Sequence, residues 1–267
     1  MPSQTRTAGA PDPLARLAAL EGVGSAFAAT RDGIDALLRD RGLRRTTPDL
    51  TADALLRGAH ASAVLEGSES TLEEVRDGVG DEMAQSALRV NAELLSLLPT
   101  LAKSPLQALA RLHTLAGKGL VADGDLGRPR DPAGATRLRD LAALLTGSTA
   151  APALVVAAVA HAEIASAAPF VSHNGLVARA AERLLLVGRG VDPKSLLVPE
   201  IGHLWLRREY ESNLRGYRDG GVEGVHGWLL YAAEAYARSA EASPLNASAR
   251  DVPAAPRSKS RSAAADT

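Results

Sequence analysis

Apolar residues recur three and four positions apart over most of the chain, the period of a helix with one buried face. Residues 14–38 open the pattern. Leu14, Leu17, Leu20, Val23, Phe27, Ile34, Leu37 and Leu38 share one side, and Gly22, Gly24 and Gly33 are able to bend or split the helix. After a connector at 41–48, Asp49 or Thr51 caps a helix over 52–65. The stretch from Gly67 to Ser70 breaks it, and Ser70 or Thr71 caps a short helix through Glu73 and Val75. One long helix is predicted over 81–98. Ser104-Pro105, an N-cap followed by a first-turn proline, starts another that runs to 115. A loop rich in Gly, Asp, Pro and Arg fills 117–134. Helices follow over 135–145 and 153–167, then from an Asn174 cap to 188. Asp192-Pro193 begins a helical region to 218, broken near Pro199, and a last helix covers 223–240. Nothing alternates with period two and nothing repeats at solenoid spacing, so the chain is predicted to be all-α.

The ends read differently. Residues 1–13 are polar, small and Pro-containing, a loose tail with no apolar core that a leader peptide would need. From 243 the chain is low-complexity Ser, Ala, Arg and Pro, too poor in burial to order itself.

Composition narrows the core and the partners. Of 267 residues, 46% are hydrophobic but only 3% aromatic, so the core must be Leu, Val and Ala in closely packed helices. The net charge of -1 argues against a general nucleic-acid or anionic-membrane binder. The absence of Cys excludes disulfides, thiolate metal sites and cysteine nucleophiles, and fits a cytoplasmic protein. The longest apolar run, near 154–160, is too short to span a bilayer.

The informative stretch is 168–179, Ala-Pro-Phe-Val-Ser-His-Asn-Gly-Leu-Val-Ala-Arg, between two helices. Pro169 ends the first helix, because it disfavours helical geometry at the residue before it. Asn174 caps the second, and Gly175 lets backbone come close to a ligand. A helix that starts with free N–H groups is a ready anion site.

This stretch resembles the loop of the Fic (Fido) family, His-Pro-Phe-x-Asp/Glu-Gly-Asn-Gly-Arg-x-x-Arg. Pro169, Phe170, Asn174, Gly175 and Arg179 match. Ala168 stands where the family has its catalytic His, Ser172 replaces the acidic metal ligand, His173 the first Gly, and Leu176 the first Arg. The family's members transfer AMP from ATP to a protein hydroxyl, and the resemblance implies a Fic-like helical bundle over 49–242 with an N-terminal helical extension at 14–48. Asn174, Gly175 and Arg179 would then bind a nucleotide or other anion. A second motif, Ser62-x-x-x-Glu66-Gly67, resembles the family's autoinhibitory helix, whose Glu pairs with the second motif Arg; the matching pair is Glu66 and Arg179. A third, Leu112-His113 followed by Leu126-Gly127-Arg128-Pro129-Arg130, resembles the helix and turn before the family's target-presenting flap. Only four residues separate Arg130 from the next predicted helix, so the flap is expected to be shortened or missing.

The losses weigh on the chemistry. A general base is typically worth about 10²–10⁴-fold, and Ala168 accepts no proton. Ser172 lacks the charged oxygen that Mg²⁺ prefers, and Leu176 cannot neutralise a phosphate. His173 is the one displaced candidate for a base or a phosphate contact. His113 is expected to pack in the core or cap a helix. His161-x-Glu163 matches a zinc-deaminase fragment without its cysteines, and His60, His203 and His226 show no metal-ligand spacing, so no metal is expected. Tyr210 to Leu214 and Gly224 to Trp228 resemble the family's closing helices and read as core packing. The expectation is a degenerate Fic-like protein that binds a partner, with ATP and Mg²⁺ as the ligand pair if binding survives. The alternative is an active protein adenylyltransferase, or a related phosphate-group transferase, with an altered catalytic site. The partner or target protein and any self-association stay open.

Overall fold

The computed structural model describes residues 12–39 and 48–246, and every regular element among them is helical. The leading tail to 11, most of the connector at 40–47, and the low-complexity tail from 247 lie outside the described residues. The all-α expectation holds.

The first predicted helix is two, α1 (Pro13–Ala18) and α2 (Val23–Leu37), split at Gly22 with φ 72°. Helix α3 (Pro48–Leu65) starts earlier than predicted, so Asp49 and Thr51 lie inside it rather than capping it. The Thr51 hydroxyl donates instead to the Lys194 carbonyl at 2.9 Å. Helix α4 (Leu72–Arg76) carries the expected Thr71 cap, completed as a capping box by Glu74. The single helix predicted over 81–98 is three pieces: α5 (Glu82–Glu93), a 3-10 turn (Leu94–Leu97) and α6 (Leu98–Lys103). Pro99 is the reason. It has no N–H to give, and its ring would collide with the carbonyl four residues back.

Helix α7 (Pro105–Gly117) begins after Ser104, whose side chain makes no capping bond. Helix α8 (Pro132–Thr146) is capped by Asp131, and α9 (Ala153–Ala167) has the predicted bounds. Helix α10 (Asn174–Gly188) leads to a further difference. Residues 192–198 are not helical, because the Asp192 carboxylate accepts the Leu197 N–H at 2.7 Å and closes a loop. Helices α11 (Pro199–Trp205), α12 (Arg207–Asp219) and α13 (Gly221–Glu241) complete the described residues.

Helix α9 is the axis. Leu154 through Ala162 and Ile164 are buried, so the helix has no wet face to show. Helices α1, α2, α8, α10, α12 and α13 pack around it. Trp228 of α13 donates its indole N–H to the Ala158 carbonyl at 2.9 Å. The N-terminal pair is built into this core: Leu14, Val23, Phe27 and Ile34 are buried in it, and Thr30 donates to the Ala233 carbonyl at 3.0 Å. Burial continues past α13 through Ala242 and Ser243. With few aromatics, helices approach closely; a Cβ on Gly202 would strike the Ala235 carbonyl. Among the described residues no helix is long and apolar enough to cross a membrane.

Candidate functional site

The loop joining α9 to α10 is short and held at both ends. Ala168 leaves α9 in the left-handed region, φ 43°, where Pro169 forbids ordinary helical continuation. His173 enters α10 from the same region, φ 57°. His173 therefore stands at the N-cap position, without a side-chain capping bond, and Asn174 is the first helical residue. That corrects the predicted cap. The Asn174 amide turns back across the loop instead: Oδ1 accepts the Phe170 N–H at 2.9 Å and Nδ2 donates to the Phe170 carbonyl at 3.0 Å. One side chain thus replaces a backbone pair and fixes the loop's width.

Glu66 reaches this loop from the end of α3, where Gly67 turns the chain with φ 98°. Arg179, one turn into α10, donates from Nη2 to Glu66 Oε1 at 2.6 Å. Its Nε donates to the Ser62 hydroxyl at 2.7 Å, Nη2 also to the Ser62 carbonyl at 3.2 Å, and Nη1 to the Tyr210 hydroxyl at 3.1 Å. The guanidinium is buried and every nitrogen is used. Burial works against its charge, but Tyr210 and Glu66 outweigh it and hold Arg179 protonated beyond the usual range. Gly175 is the other half of this contact. A Cβ there would collide with Glu66 Oε1, so the carboxylate lies over the start of α10, where an incoming anion would sit. Ser62, Glu66, Gly175 and Arg179 are thereby brought into contact, with Gly67 next to Glu66 and Asn174 next to Gly175 in the chain.

The flap region is equally specific. Arg130 N–H donates to the Pro169 carbonyl at 2.8 Å, and Asp131 immediately caps α8 through the Gly134 N–H at 2.7 Å. A Cβ on Gly134 would strike the Pro169 carbonyl, so the first turn of α8 covers the motif loop directly. Beside it lies a mostly apolar groove of about 340 Å³, lined in part by Leu106, Ala110, Pro129, Ala135, Leu138 and Phe170.

The substituted positions offer little chemistry. Ala168 bears no functional group, and Leu176 is buried in the core. Ser172 Oγ lies 2.6 Å from His173 Nδ1. His173 Nε2 is buried without a hydrogen-bond partner, and burial lowers the imidazole's proton affinity, with Glu66 opposing and Arg89 adding. His113 stacks on Phe170, centroids 4.4 Å apart and planes 9° off parallel, and its Nδ1 accepts the Gly127 N–H at 2.9 Å. Its Nε2 is also unpartnered, and burial, then the charge of His173, bring His113 down to about 4.

Behind Arg179 the polar contacts continue into a group of side chains that sequence spacing did not connect. Tyr210 OH lies 3.0 Å from His161 Nε2. His161 Nδ1 and His203 Nε2 each lie 3.0 Å from Glu182 Oε2. Tyr236 donates to Glu182 Oε1 at 2.8 Å, and Tyr231 OH lies 2.7 Å from His203 Nδ1. Glu182 is fully buried. Burial alone would raise its pKa, but the two imidazoles outweigh that and hold it below the usual carboxylate range. The other predicted bystanders are accounted for: Glu163 accepts from Tyr217 at 2.7 Å, and His60 Nε2 and His226 Nε2 lie 2.9 and 2.7 Å from the Ser70 and Glu21 carbonyls. His161, Glu182 and His203 come one each from α9, α10 and α11, and the tyrosines from α12 and α13, so only the fold brings the group together.

No protein-family model and no curated protein matches the chain by sequence. Solved structures do. A Fic family protein from Desulfovibrio desulfuricans G20 superposes with a TM-score of 0.69 at 20% identity, over 83% of this chain and 74% of that one. Fic-1 from C. elegans gives 0.64 at 15% identity, over 82% and 71%, and its variant with a Glu-to-Gly substitution gives 0.58 at 15%, over 80% and 70%. The chain has the all-α fold of these Fic family proteins.

Proposed function

We propose that this chain is a catalytically degenerate Fic-like protein, a pseudoenzyme that binds a partner protein in the cytoplasm and regulates rather than transfers AMP. The observation that carries the reading is the state of Arg179. It is the one cation of the resembled motif that remains, and all its nitrogens are spent on Ser62, Glu66 and Tyr210. Ala168 has no proton acceptor, Ser172 no charge, and Leu176 is in the core. The apolar groove beside Phe170 favours contact with protein over contact with a phosphate. Asn174, Gly175 and Arg179 are left with weak anion or nucleotide binding at most, ATP with Mg²⁺ being the pair to try.

Calorimetric titration of wild type and Glu66→Gly with ATP and Mg²⁺, followed by mass spectrometry for added AMP, tests this. No AMP on any protein in either form is the expected result, whether or not heat of binding is seen. A second reading rests on His173, whose buried Nε2 is unpartnered while Ser172 meets its Nδ1 at 2.6 Å. On that reading the chain is an adenylyltransferase with a displaced base, the Glu66→Gly form labels itself or a target, and His173→Ala abolishes the label.

A further inference from the structure

The group behind Arg179 has the makings of a metal centre. His161, Glu182 and His203 are each 0% exposed, and one donor atom from each lies within 4.8 Å of the others. Each imidazole nitrogen lies 3.0 Å from the carboxylate oxygen, a spacing that two ligands of one ion with bonds of about 2.0–2.2 Å can take. We propose that His161 Nδ1, Glu182 Oε2 and His203 Nε2 hold a structural divalent transition-metal ion of the Zn²⁺ class.

Several independent observations converge. His161 Nδ1 is 3.0 Å from Glu182 Oε2 yet has no hydrogen-bond partner: distance is met and alignment is not. A ring nitrogen that faces two other donors out of line for a hydrogen bond is placed as a ligand to something between them. The far atom of every proposed ligand is then held by a tyrosine hydroxyl: Tyr210 on His161 Nε2, Tyr231 on His203 Nδ1, Tyr236 on Glu182 Oε1. Metal-bound imidazoles and carboxylates are oriented through such outer contacts, which fix ring orientation and tautomer. Charge agrees. Glu182 is a buried carboxylate whose direct partners are imidazoles and a hydroxyl, while the Arg179 guanidinium is paired with Glu66 and that of Arg183 with Glu200. An ion supplies the missing positive charge where burying a lone anion is costly. Two imidazoles select a first-row transition ion over Mg²⁺ or Ca²⁺, which require oxygen. Three protein ligands leave one position of a tetrahedral ion, but every ligand is buried away from any substrate, so the centre's work is to tie α9, α10 and α11 together.

The test uses the untagged full chain, purified without chelator. Elemental analysis is expected to find about one Zn²⁺-class ion per chain. Unfolding in urea with chelator, then refolding with Co²⁺, is expected to yield the intense visible absorption of nitrogen-bound cobalt. His203→Gln loses both signals. Tyr231→Phe, which keeps every ligand and the fold, weakens Co²⁺ binding by about tenfold to a hundredfold. A folded wild type with under about a tenth of an ion per chain, refolding with Co²⁺ in its pale aqua form only, overturns the proposal. Tyr231→Phe binding Co²⁺ as tightly as wild type overturns the outer-contact argument it rests on.

Discussion

Glu66 Oε1 meets Arg179 Nη2 at 2.6 Å across 113 residues of chain, and it does so in the space that a Cβ on residue 175 would fill. The ion pair, the glycine and the helix start form one contact, and its parts can be removed separately.

Glu66→Gly strips the carboxylate from a guanidinium that stays buried. The expected cost is about 3 kcal/mol, toward the low end for buried pairs because the Glu66 side chain is 26% exposed. Urea denaturation measures it. Adding Arg179→Met should return part of that loss, since an apolar side chain needs no counter-charge. A double variant weaker than Glu66→Gly alone would mean the hydroxyls of Ser62 and Tyr210 suffice for Arg179.

Gly175→Ala should destabilise the wild type by about 1–3 kcal/mol through collision with Glu66. In the Glu66→Gly background the same change meets no carboxylate, and Ala is the better helix former. The sign of its effect should therefore reverse. Equal destabilisation in both backgrounds would place the clash elsewhere.

Asn174→Ala removes both bonds to the Phe170 backbone and should cost about 2 kcal/mol. Asn174→Asp keeps an acceptor for the Phe170 N–H and adds a favourable charge at a helix start, so it should cost less than half as much. Comparing the two unfolding midpoints separates a loop clamp from a mere helix-start preference.

Acid should weaken the fold through His113. Its pKa falls from the ordinary 6.5 to about 4, chiefly by burial, so the unfolded chain takes up the proton first as pH drops. Stability from this group is complete above 6.5 and declines toward pH 4, by up to about 1.4 kcal/mol per pH unit. His113→Gln, which can still accept the Gly127 N–H, should flatten the slope of unfolding free energy against pH in that window. An unchanged slope would remove His113 as a source.

Much of this was legible in the chain. The apolar run that opens α9 starts just after Pro152, and the helix ends short of Pro169, so its bounds could be read directly. Glu66 and Arg179 could be paired only through the resemblance, because neither carries a local signal of the other. Asn174 was misplaced by one position. A capping residue and a loop clamp use the same amide, and only the left-handed backbone at His173 tells them apart. The break at Leu94 was written in Pro99 but masked by the leucines on either side. The trio of His161, Glu182 and His203 left no trace, since each ligand sits alone on its own helix.

The burial of α9 on every side has a consequence for how the molecule assembles. A helix without a wet face cannot wait in water for its neighbours, and α10, which packs on it more extensively than α8 does, follows after a six-residue link, 168–173. Such local pairing closes little loop entropy and so favours early formation. The two helices and the link between them are then the natural folding nucleus. Pro169, Phe170 and Asn174 would serve folding speed whether or not the loop performs chemistry, and the backbone amides inside α9 and α10 would be among the last to exchange with deuterated solvent.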